Sequence, residues 1–228
     1  MNYTDFVYFD IETSGNYPDL LSLKNNDMRG YDLFMRKIER KSGQFIDWKL
    51  DPDKVYLEKT PLMPEFGRVV CVSIGYIKDD NIKIESFINE NEEDIIFKVH
   101  KIFEKISNKT LYGLSGFYIK GFDIPFLNRK FMQYGLTIPK LFKSFGVKPW
   151  EMNILDLAEV WKSYGTLENV SLDEMLYVLG IDSPKSVMAG KDVHNKFWNT
   201  KDYEDIKTYC EGDVVSCIKA AEKIVKLL

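Results

Sequence analysis

The sequence predicts an α/β fold in which a mixed central β-sheet is flanked by α-helices. Two observations support this class. Three strand-like segments come first, and helical and strand-like segments then alternate before a long helical tail. The 228 residues include 45% apolar and 14% aromatic side chains, which is enough to build one large core. We therefore expect residues 1–228 to form a single domain.

The three leading strands are marked by apolar and β-branched residues. They cover residues 5–12, 68–77 and 82–88. The polar sequence KDDN at 78–81 separates the second strand from the third and is typical of a tight turn. These two strands are therefore predicted to form a β-hairpin.

The remainder of the chain alternates between helical and extended patterns. In the segment 91–109, apolar residues recur at helical spacing and acids occupy the first turn, where they complement the helix dipole. The helix predicted at 123–135 begins near Pro125 and ends at Gly135. The other predicted elements are strands at 110–116 and 152–157 and helices at 157–165, 171–180 and 202–226.

The segment 14–67 interrupts this order. It is rich in Asn, Lys, Arg and Asp and ends in the proline-containing TPLMPEFG. We interpret it as an insertion or flap with a local helix around residues 30–40. That region interleaves Arg and Lys with Tyr31 and Phe34, a mixture suited to contacts with a nucleic-acid backbone and bases, although an ordinary amphipathic helix has the same pattern.

Composition argues against several classes of protein. No apolar run approaches the roughly 20 residues of a membrane helix and no charged-then-apolar leader is present, so we expect a soluble, cytoplasmic protein with no membrane partner. Cys71, Cys210 and Cys217 are odd in number and lack C-x-x-C spacing, which argues against a disulfide framework and a thiolate zinc site and predicts buried or idle thiols. The net charge of −4 argues against binding along a long stretch of a polyanion such as nucleic acid, but it allows binding of one chain end.

The stretch FVYFDIET places two carboxylates, Asp10 and Glu12, in an otherwise apolar strand. Residues two apart in a strand point to the same face, so the two side chains are predicted to lie side by side. Each then raises the free-energy cost of ionising the other. Such a pair needs a cation, a proton or bulk water, and nothing local decides among them.

Two more acids stand out by their surroundings. Asp123 in KGFDIPFL follows a strand at the start of a helix, and Asp213 in YCEGDVV lies on the last helix, four residues after Tyr209. Alone, Asp123 could be a helix cap, and Asp213 a surface acid with Tyr209 in the core. Together with Asp10 and Glu12 they form an ordered series, D-x-E, then F-D, then Y-x-x-x-D, which is unlikely to arise by chance.

This series resembles the DEDD superfamily of 3′–5′ exonucleases, which have a ribonuclease H-like fold. FDIET is similar to the first motif, GFDIPFL to the second and YCEGDV to the third in its tyrosine (DEDDy) form. The histidine form places His five residues before the last Asp, where this chain has Thr208. A narrower similarity, to stand-alone exonucleases related to the proofreading domain of family B DNA polymerases, spans most of the chain apart from 14–60.

The resemblance implies hydrolysis assisted by two divalent ions, Mg²⁺ or Mn²⁺, which carboxylates suit. Asp10 would bridge both ions, Glu12 and Asp213 would complete the site of the ion on the nucleophile side, and Asp123 would hold the second ion. Tyr209 would orient the attacking water and would not take its proton, because a phenol with an ordinary pKa of ~10 is a poor base at neutral pH.

Residues that contact substrate are harder to identify. The family usually has His-Asn before the second motif, where this chain has Phe117 and Tyr118, a departure that concerns how the substrate strand is held and not metal binding. Tyr118 could stack on a base or simply pack. The remaining substrate-binding candidates near the motifs are Thr13, Lys120, Phe122, Arg129 and Lys185. Asp156 either supports the four metal-binding acids without binding a metal ion itself, or simply ends its strand.

The expected function is metal-dependent 3′–5′ exonuclease activity on single-stranded DNA, with release of nucleoside 5′-monophosphates. An exoribonuclease is the alternative within enzymes, and a weakly active nucleic-acid-binding or polymerase-accessory protein is the alternative of another class. A DNA polymerase or replication proteins are candidate partners. The abundance of Lys, Asn and Ile fits an AT-rich genome and a bacterial or phage-infected cell.

Overall fold

A five-stranded mixed sheet forms the centre of the protein. The computed structural model describes residues 2–49, 51–108, 113–143, 145–148, 151–163, 168–183 and 188–227. The strands are β1 (Phe6–Gly15), β2 (Gly67–Lys78), β3 (Asn81–Ile88), β4 (Gly113–Gly116) and β5 (Ile154–Asp156). Their order across the sheet is β3-β2-β1-β4-β5. With helices on both faces of this sheet, the predicted α/β class is confirmed.

Strand β1 is the central strand, antiparallel to β2 and parallel to β4. β2 and β3 form the predicted antiparallel hairpin, and β4 and β5 pair in parallel. β5 is three residues long, shorter than the predicted strand at 152–157. Of the strand predicted at 110–116, residues 113–116 form β4 and residues 110–112 lie outside the described residues.

The predicted helices after β3 are confirmed to within a few residues at most ends. In chain order the helices are α1 (Leu20–Asn26), α2 (Met28–Ser42), α3 (Pro52–Lys59), α4 (Glu92–Ser107), α5 (Asp123–Gln133), α6 (Leu157–Lys162), α7 (Leu172–Leu179), α8 (Val193–Asn195) and α9 (Tyr203–Val225). A π-helical turn, Lys196–Thr200, follows α8 and was not predicted.

The two faces of β1 meet different layers of helices. Val7, Phe9 and Ile11 pack with residues of α4 and α5, where the Phe9 and Phe103 ring centroids lie 5.2 Å apart. The alternate residues Phe6 and Tyr8 pack with residues of α7 and α9. Because successive side chains alternate between faces, Asp10 and Glu12 belong to the α9 side.

Helix α9 lies unusually close to β2 at Gly75. A Cβ atom added there would lie 2.6 Å from Val214 Cγ1, which is closer than carbon atoms approach without overlap. A larger residue at position 75 would push α9 away from the sheet. Asp213 precedes Val214 on that helix, so glycine at this position helps to set the distance between Asp213 and the acids of β1.

The region predicted as an insertion or flap at 14–67 contains three helices, α1 to α3, around an apolar cluster of its own. The buried members of that cluster are Leu20, Leu23, Phe34, Ile38, Val55 and Tyr56. The predicted helix around 30–40 is confirmed as part of α2. The boundary at 14 is wrong, because Ser14 and Gly15 continue the β1 ladder opposite Arg68 and Gly67. We call residues 16–66, which contain these helices, the insertion.

Within the described ranges, no helix combines the length and the apolar character needed to cross a bilayer. The three cysteines are free and buried, as predicted.

Candidate active site

Asp10 and Glu12 point to the same side of β1, as predicted. A carboxylate oxygen of each lies within 4.8 Å of the other and of the Cys210 sulfur on α9. Glu12 is buried and Asp10 is partly exposed. The register between β1 and β2 shifts directly after Glu12. Such bulges re-aim side chains and are common beside active sites.

Asp123 reaches these acids from the opposite layer of helices. It is the first residue of α5, and its Oδ1 accepts a hydrogen bond of 3.1 Å from the backbone N–H of Ile11, which lies between Asp10 and Glu12. The turn that connects β4 to α5 therefore brings a third carboxylate, buried like that of Glu12, to the middle of β1.

Asp156 holds that turn in place. Its Oδ1 accepts from the backbone N–H of Tyr118 at 3.0 Å, and its Oδ2 accepts from that of Lys120 at 2.9 Å. The same carboxylate caps α6 through the N–H of Ala158 at 3.0 Å. The two interpretations offered by the sequence both apply, because Asp156 ends β5 and also supports the turn that leads to Asp123.

Helix α9 contributes Asp213 and Tyr209, one turn apart on the same side of the helix. Between them, the Cys210 thiol donates to the backbone oxygen and to Oδ2 of Asp10, at 3.4 Å in each case. The sequence indicated only a buried or idle thiol at this position. Its contact with Asp10 depends on how α9 crosses β1, which no local pattern reports.

The carboxylates raise one another's pKa. Burial is the main reason that the pKa of Asp10 lies well above its ordinary value, and the charges of Asp123 and Asp213 add to the rise. Burial likewise raises the pKa of Glu12, with further contributions from Asp10 and Asp213. For Asp123, burial raises the pKa to about 7, although the Ile11 N–H acts in the opposite direction. The four acids are close enough to interact.

Tyr209 is held in its neutral form. Burial raises the pKa of its hydroxyl above the ordinary value of 10, and the charges of Asp213, Glu12 and Asp10 raise it further. Tyr209 lies one turn before Asp213 on α9, on the same side of the helix. A phenol with a raised pKa keeps its proton at neutral pH, so it can position a water molecule but cannot act as a base.

The donor set fits a hard divalent cation. Asp10 and Glu12 present carboxylate oxygens within 4.8 Å of one another, and oxygen is the ligand atom that Mg²⁺ and Mn²⁺ prefer. The Cys210 thiol does not compete, because burial raises its pKa and keeps it protonated. Within the part of the chain that the structure describes, no lysine or arginine forms an ion pair with Asp10, Glu12 or Asp123. Bound cations would offset the repulsion among these acids.

The substrate-binding candidates differ in their surroundings. The Thr13 hydroxyl donates to the Pro61 carbonyl oxygen at 2.7 Å, so that side chain is already engaged by the insertion. Lys120 pairs with Glu159 at 2.6 Å, and Arg129 lies 3.7 Å from Glu65.

Tyr118 is the most accessible aromatic residue among these candidates. Its side chain is 54% exposed, and its φ of 59° is in the left-handed region. Phe122 is half-buried and packs on Phe126, with ring centroids 5.5 Å apart. Lys185 lies outside the described residues.

The basic helix of the insertion, α2, exposes cations but not its central aromatic residue. Phe34 is fully buried and packs on Tyr56, so stacking of a base on Phe34 is excluded. Tyr31 is half-buried with Lys24 Nζ 5.3 Å from its ring centroid. These two positions follow the ordinary amphipathic pattern.

Sequence reasoning missed His194. Its Nδ1 accepts from the Gly15 N–H at 3.1 Å and its Nε2 donates to the Pro18 oxygen at 2.9 Å, which ties α8 to the end of β1. Burial lowers the pKa of this imidazole, consistent with the neutral form. No local signal marks this position.

Sequence reasoning also missed the buried pair Lys130 and Glu92, whose Nζ and Oε1 lie 3.2 Å apart. Lys130 lies four residues after Phe126 on the apolar side of α5, which was a usable signal.

Comparisons with known proteins agree with this geometry. Residues 60–218 match a family model described as "Predicted 3′-5′ exonuclease related to the exonuclease domain of PolB". No curated protein sequence matches the chain. Among solved structures, the family B DNA polymerase from the hyperthermophilic archaeon Pyrobaculum calidifontis superposes with a TM-score of 0.58 at 16% identity. That match covers 96% of this chain and 24% of the polymerase.

Exonuclease I is a second structural neighbour. The E. coli enzyme in complex with a dT13 oligonucleotide superposes with a TM-score of 0.50 at 12% identity, covering 96% of this chain and 40% of that protein. A complex described as ExoI/SSB-Ct matches to the same degree, with 97% and 41% covered. The chain therefore spans about a quarter to two-fifths of the length of these proteins, and at such low identity the likeness concerns the fold.

Proposed function

Because the chain belongs to the family of predicted 3′–5′ exonucleases related to the exonuclease domain of PolB, we propose that it hydrolyses the 3′-terminal phosphodiester bond of single-stranded DNA and releases nucleoside 5′-monophosphates. The fold is the ribonuclease H-like fold of its structural neighbours. The neighbours described as a DNA polymerase and as bound to an oligothymidine support DNA as the substrate.

One observation carries the proposal. Asp10 and Glu12 lie side by side on β1, and Asp123 of α5 is hydrogen-bonded to Ile11 between them. Helix α9, which carries Tyr209 and Asp213, contacts Asp10 through Cys210, so acids from three elements of the chain meet at one place. Gathering carboxylates in a largely buried place raises the free-energy cost of ionising each of them, so such a cluster points to a chemical role. Phosphoryl transfer is the chemistry that such a cluster serves.

We assign Asp10, Glu12, Asp123 and Asp213 as ligands of two divalent cations, Mg²⁺ or Mn²⁺. When bound, the cations would activate water and neutralise charge on the phosphoryl and departing oxygens. The chain's own contribution is orientation. The Ile11 N–H fixes one oxygen of Asp123, and the Cys210 thiol fixes one oxygen of Asp10, so each carboxylate presents its other oxygen in a defined direction.

Tyr209 is assigned the positioning of the attacking water. Its neutral hydroxyl can donate a hydrogen bond and accept one, and the surrounding acids keep it protonated. This role fits the tyrosine form of the family motif. It does not require the hydroxyl to lose its proton during the reaction.

We call the DNA that precedes the 3′-terminal nucleotide the upstream strand. It is proposed to lie on the side of the site nearest Tyr118. A cavity of about 490 Å³ opens there between Tyr118, Trp161, Lys162 and Asn169. Aromatic rings with a nearby cation suit successive stacked bases and their phosphates. Tyr118 thereby offers a base platform at the position where the family usually has Asn. Lys120, Phe122, Arg129, Thr13 and Lys185 remain secondary candidates for substrate contacts.

The same proposal treats residues 1–228 as one exonuclease domain that carries a helical insertion. Proofreading or another replication and repair task, together with a DNA polymerase or replication protein, is the context that the family relationship favours. A cytoplasmic location in a bacterial or phage-infected cell completes the proposal.

The substrate test uses single-stranded DNA and RNA of the same sequence, labelled at the 5′ end, with Mg²⁺ or Mn²⁺. A ladder of products shortened from the 3′ end of DNA, absent with Asp10→Ala, is the expected result. Shortening of RNA alone would replace the proposal with an exoribonuclease. Tight binding of both without metal-dependent cleavage would indicate an accessory protein.

A further inference from the structure

A second cavity lies between the insertion and the segment that contains α8. Its volume is about 550 Å³, within the range of small-molecule sites. One wall is the end of the insertion, including Leu57, Pro61 and Leu62, and the other includes Lys191, Asn195 and Asn199. We call this cavity the insertion cleft.

The insertion cleft adjoins the acid cluster. Pro61 in its wall accepts a hydrogen bond from the hydroxyl of Thr13, which directly follows Glu12. On the other wall, a Cβ atom at Gly190 would lie 3.8 Å from the Tyr209 hydroxyl. His194 in that wall is hydrogen-bonded to Gly15 at the end of β1. The cleft therefore opens on the side of the site where Glu12 and Tyr209 lie.

The walls offer the groups that a single nucleotide needs. Leu62 is 60% exposed and Leu57 is 42% exposed, so both present apolar surface on which a base can lie. The Asn199 amide donates to Asn195 Oδ1 at 2.7 Å, which orients the two side-chain amides as a pair. Lys191 is exposed and, among the described residues, forms no ion pair, so its charge is available to a phosphate.

The Tyr118 cavity and the insertion wall of the cleft are connected to strands on opposite sides of β1. The turn that carries Tyr118 leads from β4 toward β5 and is held by Asp156. The insertion instead connects β1 to β2, the neighbour of β1 on its other side. Hydrolysis divides the strand at one phosphate, so the released nucleotide and the remaining strand need separate places. The structure offers one on each side.

Resting on the proposed exonuclease function, we propose that the insertion cleft holds the 3′-terminal nucleotide, the one that is released. Leu62 supports its base, and Lys191 contacts its phosphate. The insertion then determines how tightly the product is bound, while the upstream strand uses the Tyr118 side.

The test compares Leu62→Ala and Lys191→Ala with two control variants. Leu21→Ala alters a leucine of the same insertion that is 62% exposed and does not line the cleft, and Lys101→Ala alters an exposed lysine on α4. Two substrates are used with the full chain. One is the p-nitrophenyl ester of thymidine 5′-monophosphate, which has no upstream strand, and the other is a long oligothymidine. Binding of thymidine 5′-monophosphate is measured separately by calorimetry.

The cleft variants should weaken binding of thymidine 5′-monophosphate about tenfold and should lower kcat/KM on both substrates by similar factors. The control variants should stay close to the wild type. Loss on the oligothymidine alone would assign the cleft to the upstream strand and overturn the proposal, as would cleft variants that match the controls. If the wild type cleaves neither substrate, the exonuclease function itself fails, whereas an active wild type with unaffected cleft variants refutes only the present inference.

Discussion

The Asp123 carboxylate accepts a hydrogen bond from the backbone N–H of Ile11, 3.1 Å away, although 112 positions separate the two residues. Ile11 lies between Asp10 and Glu12 on the central strand. This single bond sets the start of α5 against the middle of β1. It therefore fixes the distance between the acids of the first motif and the acid of the second.

Two substitutions of Asp123 distinguish the role of its negative charge from the role of its hydrogen bond to Ile11. Asp123→Asn keeps an oxygen that can accept from Ile11 and should retain the fold while losing most nuclease activity. Asp123→Ala also leaves a buried N–H without its acceptor and should lower the free energy of unfolding by about 1–3 kcal/mol. Thermal denaturation and nuclease rates of the two variants check this. Equal stability of both variants would show that the Ile11 hydrogen bond does not hold α5 in place.

The metal-free protein should lose stability as the pH rises. The pKa of Asp123 is raised to about 7 in the folded chain, so the folded state keeps a proton that the unfolded state releases near pH 4. The stability contributed by that proton is present below pH 4 and disappears between about pH 4 and 7. Asp10 and Glu12 act in the same direction, since burial and neighbouring charges raise the pKa of each carboxyl.

The comparison that isolates this effect is between the wild type and Asp123→Asn in EDTA. The lowered pKa of His194 favours the opposite trend at acidic pH, but it is common to both proteins and cancels in the difference. Melting temperatures from pH 5 to pH 8 should fall less steeply for the variant, and Mn²⁺ should raise the wild-type value most at pH 8. Parallel curves without metal would contradict the raised pKa of Asp123.

Tyr209→Phe removes one hydroxyl and leaves the four carboxylates. We expect the rate of cleavage to fall by about 10²-fold, in the range found for positioned catalytic groups, with Mn²⁺ affinity unchanged. Rates under saturating substrate, together with calorimetric titration of Mn²⁺, separate the two effects. An unchanged rate would remove Tyr209 from the mechanism.

Asp156→Asn tests how the turn before α5 is held. The variant amide cannot accept from both the Tyr118 and Lys120 N–H groups, so one partly buried donor loses its acceptor, at a cost of about 1 kcal/mol. Asp19→Asn is a suitable control, because Asp19 also caps a helix but lies at the start of the insertion. The Asp156 variant should have a lower melting temperature and lower activity than the wild type. The control should have a slightly lower melting temperature and unchanged activity. Full activity of Asp156→Asn would show that the turn positions Asp123 without help.

Much of the frame could be predicted from local patterns. Alternation along β1 placed Asp10 and Glu12 on one side, and helical spacing located α4 and α9. The two shorter insertion helices could not be found in this way. α1 has seven residues and α3 has eight, and both depend on a shared apolar cluster rather than on a long amphipathic pattern of their own.

The contacts that complete the site arise from the three-dimensional fold. The thiol of Cys210 meets Asp10 only because α9 crosses β1 at that point, and His194 reaches Gly15 across 179 positions. Lys130 is buried because Glu92 and the Gly67 carbonyl oxygen meet its ammonium group. Spacing along the chain places Lys130 on the apolar side of α5, but it does not identify the partner of Lys130, of Cys210 or of His194.

The most direct test of the central claim is the rate of 3′-nucleotide release from single-stranded DNA by the wild type and by Asp10→Asn. The variant keeps the size of the side chain but removes the charge proposed to hold both cations. The account predicts that the wild type cleaves DNA with Mn²⁺ and does not cleave it in EDTA. It predicts that the rate of the variant is reduced by a factor on the order of 10³ or more. Undiminished cleavage by Asp10→Asn, or cleavage by the wild type in EDTA, would contradict it.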